Sequence, residues 1–169
     1  MAHSLRPTTA AEPPSKFPAA ATARVAIIGL GRQGSTICDE QPPGSPPFGI
    51  AGACTASSLL ELVAGCDLLP EKRVAFQDRW GAPTYSDYRE MIAQEHPDIV
   101  AICTAACLPK PTRRCPDLSR PDSHADLCVA VSEMGVPMVF CEKAIASSVQ
   151  VALLQPGTHH PRAPAVAFF

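Results

Sequence analysis

The hydrophobic positions of this chain come in short runs separated by polar and turn-forming stretches. Val25-Ala26-Ile27-Ile28 is an apolar run that stops at Gly29. Such a run suits a strand covered on both faces of a parallel sheet. Residues 60–66, 99–104 and 137–141 give three more runs of the same kind. Helical stretches lie between them. Residues 35–40 and 49–57 predict two short helices. Between them, Gln41-Pro42-Pro43-Gly44-Ser45-Pro46-Pro47 breaks the pattern, because proline removes donors and fixes φ. Residues 70–80 predict a longer helix, with Pro70 in its first turn and Gly81 just past its end. Ser86 is placed to cap a helix over 87–95, after an extended piece near 83–85. Residues 123–134 predict the last helix, closed by Gly135.

Strands alternating with helices at this spacing imply βαβ crossovers. The expected fold is α/β: a Rossmann-type, doubly wound, mostly parallel sheet over residues 23–150. Residues 1–22 are rich in Ala, Pro, Ser and Thr, lack the apolar core of a secretory signal, and read as a disordered tail. Residues 105–121 carry Pro109, Pro111, Pro116 and Pro121 beside Lys110, Arg113, Arg114 and Arg120, and read as an irregular insertion. After Ser148 the periodicity decays, and residues 151–169 read as an unstructured tail.

Composition narrows the partners. The 169 residues suffice for one sizeable core and are too few for two full domains. A formal net charge of −2 offers no basic field for nucleic acid, and no apolar run reaches the length of a membrane span. Of the eight cysteines, Cys38, Cys54, Cys66, Cys103, Cys128 and Cys141 fall in or beside apolar runs, where a free thiol behaves as a small hydrophobe. No Cys-x-x-Cys pair and no histidine at zinc-ligand spacing accompanies them, so no metal is expected. Reduced thiols imply a reducing compartment, and the expected location is cytoplasmic.

The chemistry sits at the ends of the strands. Gly29-Leu30-Gly31-Arg32-Gln33-Gly34 follows an apolar strand and opens a helix, the context a phosphate-binding glycine turn requires. Gly29 permits the tight turn, Gly31 lets the backbone approach a pyrophosphate, and Gly34 lets helix and strand pack closely. The helix start then offers N–H groups and partial positive charge. Arg32 and Gln33, in the variable positions, either touch the phosphates or face water. Asp67 ends the second strand, where a carboxylate accepts ribose hydroxyls or caps the following segment. A carboxylate there repels a 2′-phosphate and favours NAD, while Lys72 and Arg73 nearby leave NADP open. Thr104 ends the third long run, where ligands meet an open sheet. Glu142-Lys143 follows the last strand at the edge where a nicotinamide would lie. A lysine there can orient a substrate hydroxyl and stabilise the developing alkoxide. His124 opens the last helix, and a lone histidine is more often a surface or capping residue than a functional one.

Taken together, 25–34, 63–67, 99–104, 124–130 and 135–143 resemble the Gfo/Idh/MocA oxidoreductases, the glucose–fructose oxidoreductase and inositol dehydrogenase relatives. The resemblance covers roughly residues 24–148. It rests on strand–Gly-x-Gly-x-x-Gly, on a histidine at the start of the helix before the fifth strand, and on Gly-x-x-Val followed by Glu-Lys. It implies an NAD(P)-dependent oxidoreductase acting on a sugar, cyclitol or related polyol. Lys143 matches the lysine of the family's Glu-Lys-Pro motif, which contacts cofactor and substrate. Ala144 stands where the family has proline, and residues 105–121 replace a short turn. The family also has a second domain that supplies most of the substrate pocket, and nothing after Ser148 predicts one. The expectation is a dinucleotide-binding domain that engages a polyol only if a second domain is supplied. A docking face left exposed would favour homo-oligomers. Two other readings share the glycine turn: a non-catalytic dinucleotide-sensing module, and a non-functional fragment.

Overall fold

The computed structural model describes residues 22–104, 124–142 and 165–168. Their strands are β1 (Ala23–Ile28), β2 (Leu60–Cys66), β3 (Thr84–Tyr85), β4 (Ile99–Ile102), β5 (Met138–Cys141) and β6 (Ala165–Phe168). The helices are α1 (Ile50–Ala56), α2 (Pro70–Trp80), α3 (Tyr88–Glu95) and α4 (His124–Glu133). The six strands lie in the order β3-β2-β1-β4-β5-β6, and every neighbouring pair runs parallel. The sequence order reverses between β1 and β4. A crevice opens at such a point beyond the carboxyl ends of the strands. This is the Rossmann architecture expected from the alternating runs.

Side-chain alternation along the buried strands gives the sheet two covered faces. Ala26 and Ile28 of β1 join Val100 and Ile102 of β4, Met91 and Ile92 of α3, and Leu127 and Val131 of α4 in one core. Ile27 points the other way, and joins Ala101, Ala51 of α1 and Phe76 of α2 in a second core. Phe76 is only 1% exposed. It lies against Gly65 of β2, where a Cβ would come within 2.8 Å of the ring.

Several local expectations change. Residues 35–40 do not form an α-helix. A five-residue π turn (Arg32–Thr36) runs into a 3-10 turn (Ile37–Glu40), followed by the exposed residues 41–48. Pro42 and Pro43 offer no N–H to the carbonyls of Cys38 and Asp39, so the helical segment cannot continue past Glu40. The cap of α3 is Asp87, whose carboxylate accepts from the Arg89 N–H, so the helix starts one residue later than a Ser86 cap would place it. β6 falls within the stretch expected to be unstructured, and pairs in parallel with β5 from Met138↔Ala165 to Cys141↔Phe168. α2 ends as its sequence predicts, on Gly81 in the left-handed conformation (φ 71°). Its last residue, Trp80, donates through Nε1 to Ser35 Oγ at 3.0 Å, tying α2 to the π turn. The 1–21 and 105–123 segments lie outside the described residues.

Candidate functional site

The carboxyl ends of β1, β2, β4 and β5 open on one cleft of about 680 Å³, the size of a small-molecule site. Gly29, Gly31, Arg32 and Gln33 line it from the turn after β1, Asp67 from the end of β2, Thr104 from beyond β4, and Glu142 from beyond β5. Seven positions singled out in the sequence therefore meet in one place. Gly34 is buried behind the turn. Lys143 lies outside the described residues.

The three glycines are held to their identity by different constraints. Gly29 has φ +96°, and a Cβ there would lie 2.7 Å from the Cys103 carbonyl and the Thr104 nitrogen. A Cβ on Gly34 would fall 2.2 Å from the Gly29 carbonyl oxygen. Both are demanded by the protein's own packing. Around Gly31, by contrast, the nearest atom to such a Cβ is Lys72 Nζ at 3.7 Å. The fold does not need a glycine there, so the bare backbone leaves room in the cleft for a ligand. That is the fit a dinucleotide's pyrophosphate requires.

Asp67 is mostly buried, and each of its carboxylate oxygens accepts one backbone N–H. Its Oδ2 accepts the Leu30 N–H at 2.9 Å, and its Oδ1 accepts the Leu69 N–H at 3.0 Å. Lys72 Nζ stands 3.8 Å from Oδ2. Arg73 clamps the same turn by donating to the carbonyls of Asp67 and Leu68. One side chain therefore fixes the turn that leads into α2, whose N-cap Leu69 has no side-chain cap bond, and faces the cleft. Arg32 is turned to Glu40, with Nε and Nη2 each 2.5 Å from a carboxylate oxygen, and this pairing raises its pKa above the ordinary value.

His124 is neither a surface residue nor a helix cap. It is 2% exposed, and its Nε2 lies 2.5 Å from the Thr104 carbonyl oxygen. Because a carbonyl can only accept, Nε2 carries the hydrogen. Among the described residues Nδ1 has no partner. The bond fixes the backbone at the end of β4, where Thr104 enters the cleft. Two thiols also reach the cleft. Burial pushes Cys66 and Cys103 each up to about 12, so both are neutral thiols near pH 7 and unsuited as nucleophiles or metal ligands. Among the described residues no group of three His, Cys, Asp or Glu side chains could hold a metal ion. None of their helices is long and apolar enough to cross a membrane.

Sequence reasoning did not single out Leu68, Leu69, Tyr88 and Arg89, which also line the cleft. The available signal was position, since all four closely follow the carboxyl ends of β2 and β3. Leu68 and Leu69 are exposed apolar residues beside Asp67, where a flat aromatic base could rest.

The sheet order, the glycine turn and this cleft define an NAD-binding Rossmann domain. Residues 23–153 match the family described as an oxidoreductase family with an NAD-binding Rossmann fold, and the chain belongs to that Gfo/Idh/MocA family. It is similar to the WlbA dehydrogenase from Chromobacterium violaceum, solved in complex with NADH and UDP-GlcNAcA. The identity is 25% and the TM-score 0.58, over 85% of this chain and 32% of that one. Two further structures, below 25% identity, share the fold. The myo-inositol 2-dehydrogenase from Lactobacillus plantarum has 23% identity and a TM-score of 0.52, over 77% of this chain and 30% of that one. An oxidoreductase from Agrobacterium radiobacter, solved with NAD+, L-tartaric acid and magnesium, has 21% identity and a TM-score of 0.56, over 79% and 31%. The chain thus spans about a third of the length of these relatives. No curated protein matches it.

Proposed function

We propose that this chain is the cofactor-holding half of a dehydrogenase for a sugar, cyclitol or related polyol, and that by itself it binds NAD(H) with little turnover. The observation that carries the reading is the room over Gly31, where a Cβ would meet only Lys72 Nζ at 3.7 Å, in a cleft also lined by Asp67, Thr104 and Glu142. In this reading the Gly29–Gly34 turn receives the pyrophosphate, with Arg32 and Gln33 at its rim. Asp67 meets the adenosine ribose with the lone pairs its backbone donors leave free, and its charge favours NAD over NADP. Thr104 and Glu142 flank the nicotinamide end. When bound there, the nicotinamide would supply hydride transfer, from a carbon bearing a hydroxyl or to the corresponding carbonyl carbon. Lys143, next in sequence to Glu142, is the residue assigned to orient that hydroxyl and to stabilise the alkoxide.

The UDP-GlcNAcA bound in one solved relative and the myo-inositol in the name of another support a polyhydroxylated substrate. The chain spans about a third of the length of these relatives, and turnover is assigned to the whole protein rather than to this chain alone. The test is a titration of the purified chain with NADH, followed by nucleotide fluorescence, for the unaltered protein and for Gly31→Leu. Saturable binding that Gly31→Leu abolishes, with negligible oxidation of inositol or sugars by the chain alone, is expected. Binding that ignores Gly31→Leu would overturn the site. Rapid turnover by the chain alone would overturn the division of labour.

A further inference from the structure

We infer that Lys72 is a phosphate-binding residue of the cleft, placed to hold the pyrophosphate of the dinucleotide over Gly31. The inference rests on the cofactor reading above and assigns it a residue outside the glycine turn.

Lys72 is the third residue of α2. Its ammonium lies 3.8 Å from Asp67 Oδ2 and 3.7 Å from where a Cβ on Gly31 would sit. It therefore bridges the end of β2 and the middle of the glycine turn. It lines both the main cleft and a second hollow of about 430 Å³ on the outer side of that turn. A diphosphate resting on the bare Gly31 backbone would come within reach of this ammonium.

The neighbouring cations are committed elsewhere. Arg32 is paired with Glu40 through two nitrogens, and Arg79 with Asp39 through two more. Arg73 donates to the Asp67 and Leu68 carbonyls. Arg89 lies over the Tyr88 ring, 4.5 Å from its centroid. Lys72 differs from the three arginines that donate hydrogen bonds, and from Arg89 in standing at the glycine turn. Its carboxylate neighbour is beyond hydrogen-bond distance and already accepts two backbone N–H groups. No hydrogen-bond acceptor is within reach of its ammonium among the described residues. Three charged donors remain for a ligand.

The local fold also creates the need. A long helix after a glycine turn presents aligned peptide dipoles to the phosphates. Here that helix is a five-residue π turn followed by four residues of 3-10 turn. Few dipoles align, and the positive end is correspondingly weak. One full charge from α2 compensates at the point where the diphosphate would lie.

Calorimetric titration of the whole chain tests this, using NADH, NADPH and ADP against the unaltered protein, Lys72→Met and Lys72→Arg. Lys72→Met is expected to weaken all three nucleotides by a common factor of about ten, as for loss of a charge-assisted hydrogen bond, and Lys72→Arg to recover most of it. Circular dichroism should show both variants folded, since the side chain is 42% exposed. A loss confined to NADPH would move the lysine to the 2′-phosphate and overturn the assignment. NADH affinity unchanged in a folded Lys72→Met protein would overturn it outright. If the unaltered chain itself binds no NADH, the cofactor reading falls and this inference falls with it.

Discussion

Asp67 Oδ2 accepts the Leu30 N–H across 37 residues of sequence, so the end of β2 holds the glycine turn in place. Leu30 is 3% exposed, so little water reaches it to replace that acceptor. Asp67→Ala is expected to strand that donor and to lower stability by about 1–3 kcal/mol, read from urea denaturation. Asp67→Asn keeps an acceptor and should cost less. If Asp67→Ala were as stable as the unaltered chain, the carboxylate would not be what fixes the turn.

The glycines should separate folding from binding. Gly34→Ala drives a methyl to 2.2 Å from the Gly29 carbonyl oxygen, a backbone atom that cannot rotate away. It should be expressed unfolded or with a greatly reduced melting temperature. Gly31→Ala meets no such obstacle and should melt normally while binding NADH more weakly. A folded Gly34→Ala protein would contradict this contrast.

Phe76 is the largest of the most deeply buried side chains and fills the space between α2 and Gly65. Truncation to alanine should cost about 3–5 kcal/mol, transfer and cavity terms together. The loss should appear as a lower denaturation midpoint. A cost below about 1 kcal/mol would mean that α2 collapses onto the sheet to refill the gap.

Alkaline pH should loosen the fold. Burial raises Cys54 to about 11 and Cys66 and Cys103 to about 12, against an ordinary value of 9.0. In that window the folded chain keeps protons that the unfolded chain gives up. Stability is therefore intact below about pH 9 and falls above it. Each such thiol contributes a slope of up to about 1.4 kcal/mol per pH unit until its folded value is reached. Denaturation midpoints from pH 7 to 10.5 should show a plateau and then a decline. Replacing Cys66 by alanine should reduce the slope of the decline. The same thiols should resist alkylation at pH 8 until the chain is unfolded.

The parts legible in the sequence were those written locally. Four largely apolar runs marked β1, β2, β4 and β5, because a strand covered on both faces needs apolar side chains along its buried part. Pro70 and Gly81 bracketed α2 through φ preferences that act at single residues. β6 was hidden because Ala165–Phe168 is short and follows Pro156, Pro161 and Pro164, so only its pairing with β5 defines it. The π turn was hidden for a related reason: the glycines dictated a turn, but its pitch depends on how closely Gly34 approaches Gly29. In the site, the residues at strand ends were readable because the topology sends those ends to one edge. Their mutual bonds were not. The contact of Asp67 with Leu30 and that of His124 with Thr104 depend on the alignment of distant segments, and no spacing rule encodes it.

The Trp80–Ser35 hydrogen bond gives the chain an optical handle. Trp80 is its one indole, anchored to the residue directly after Gly34. Indole emission overlaps the absorption of reduced nicotinamide, and energy transfer between them falls steeply with separation. A nucleotide seated on the glycine turn should therefore quench this emission, whereas one adsorbed on a remote surface should leave it bright. The protein thus reports, without any label, where its own ligand has landed.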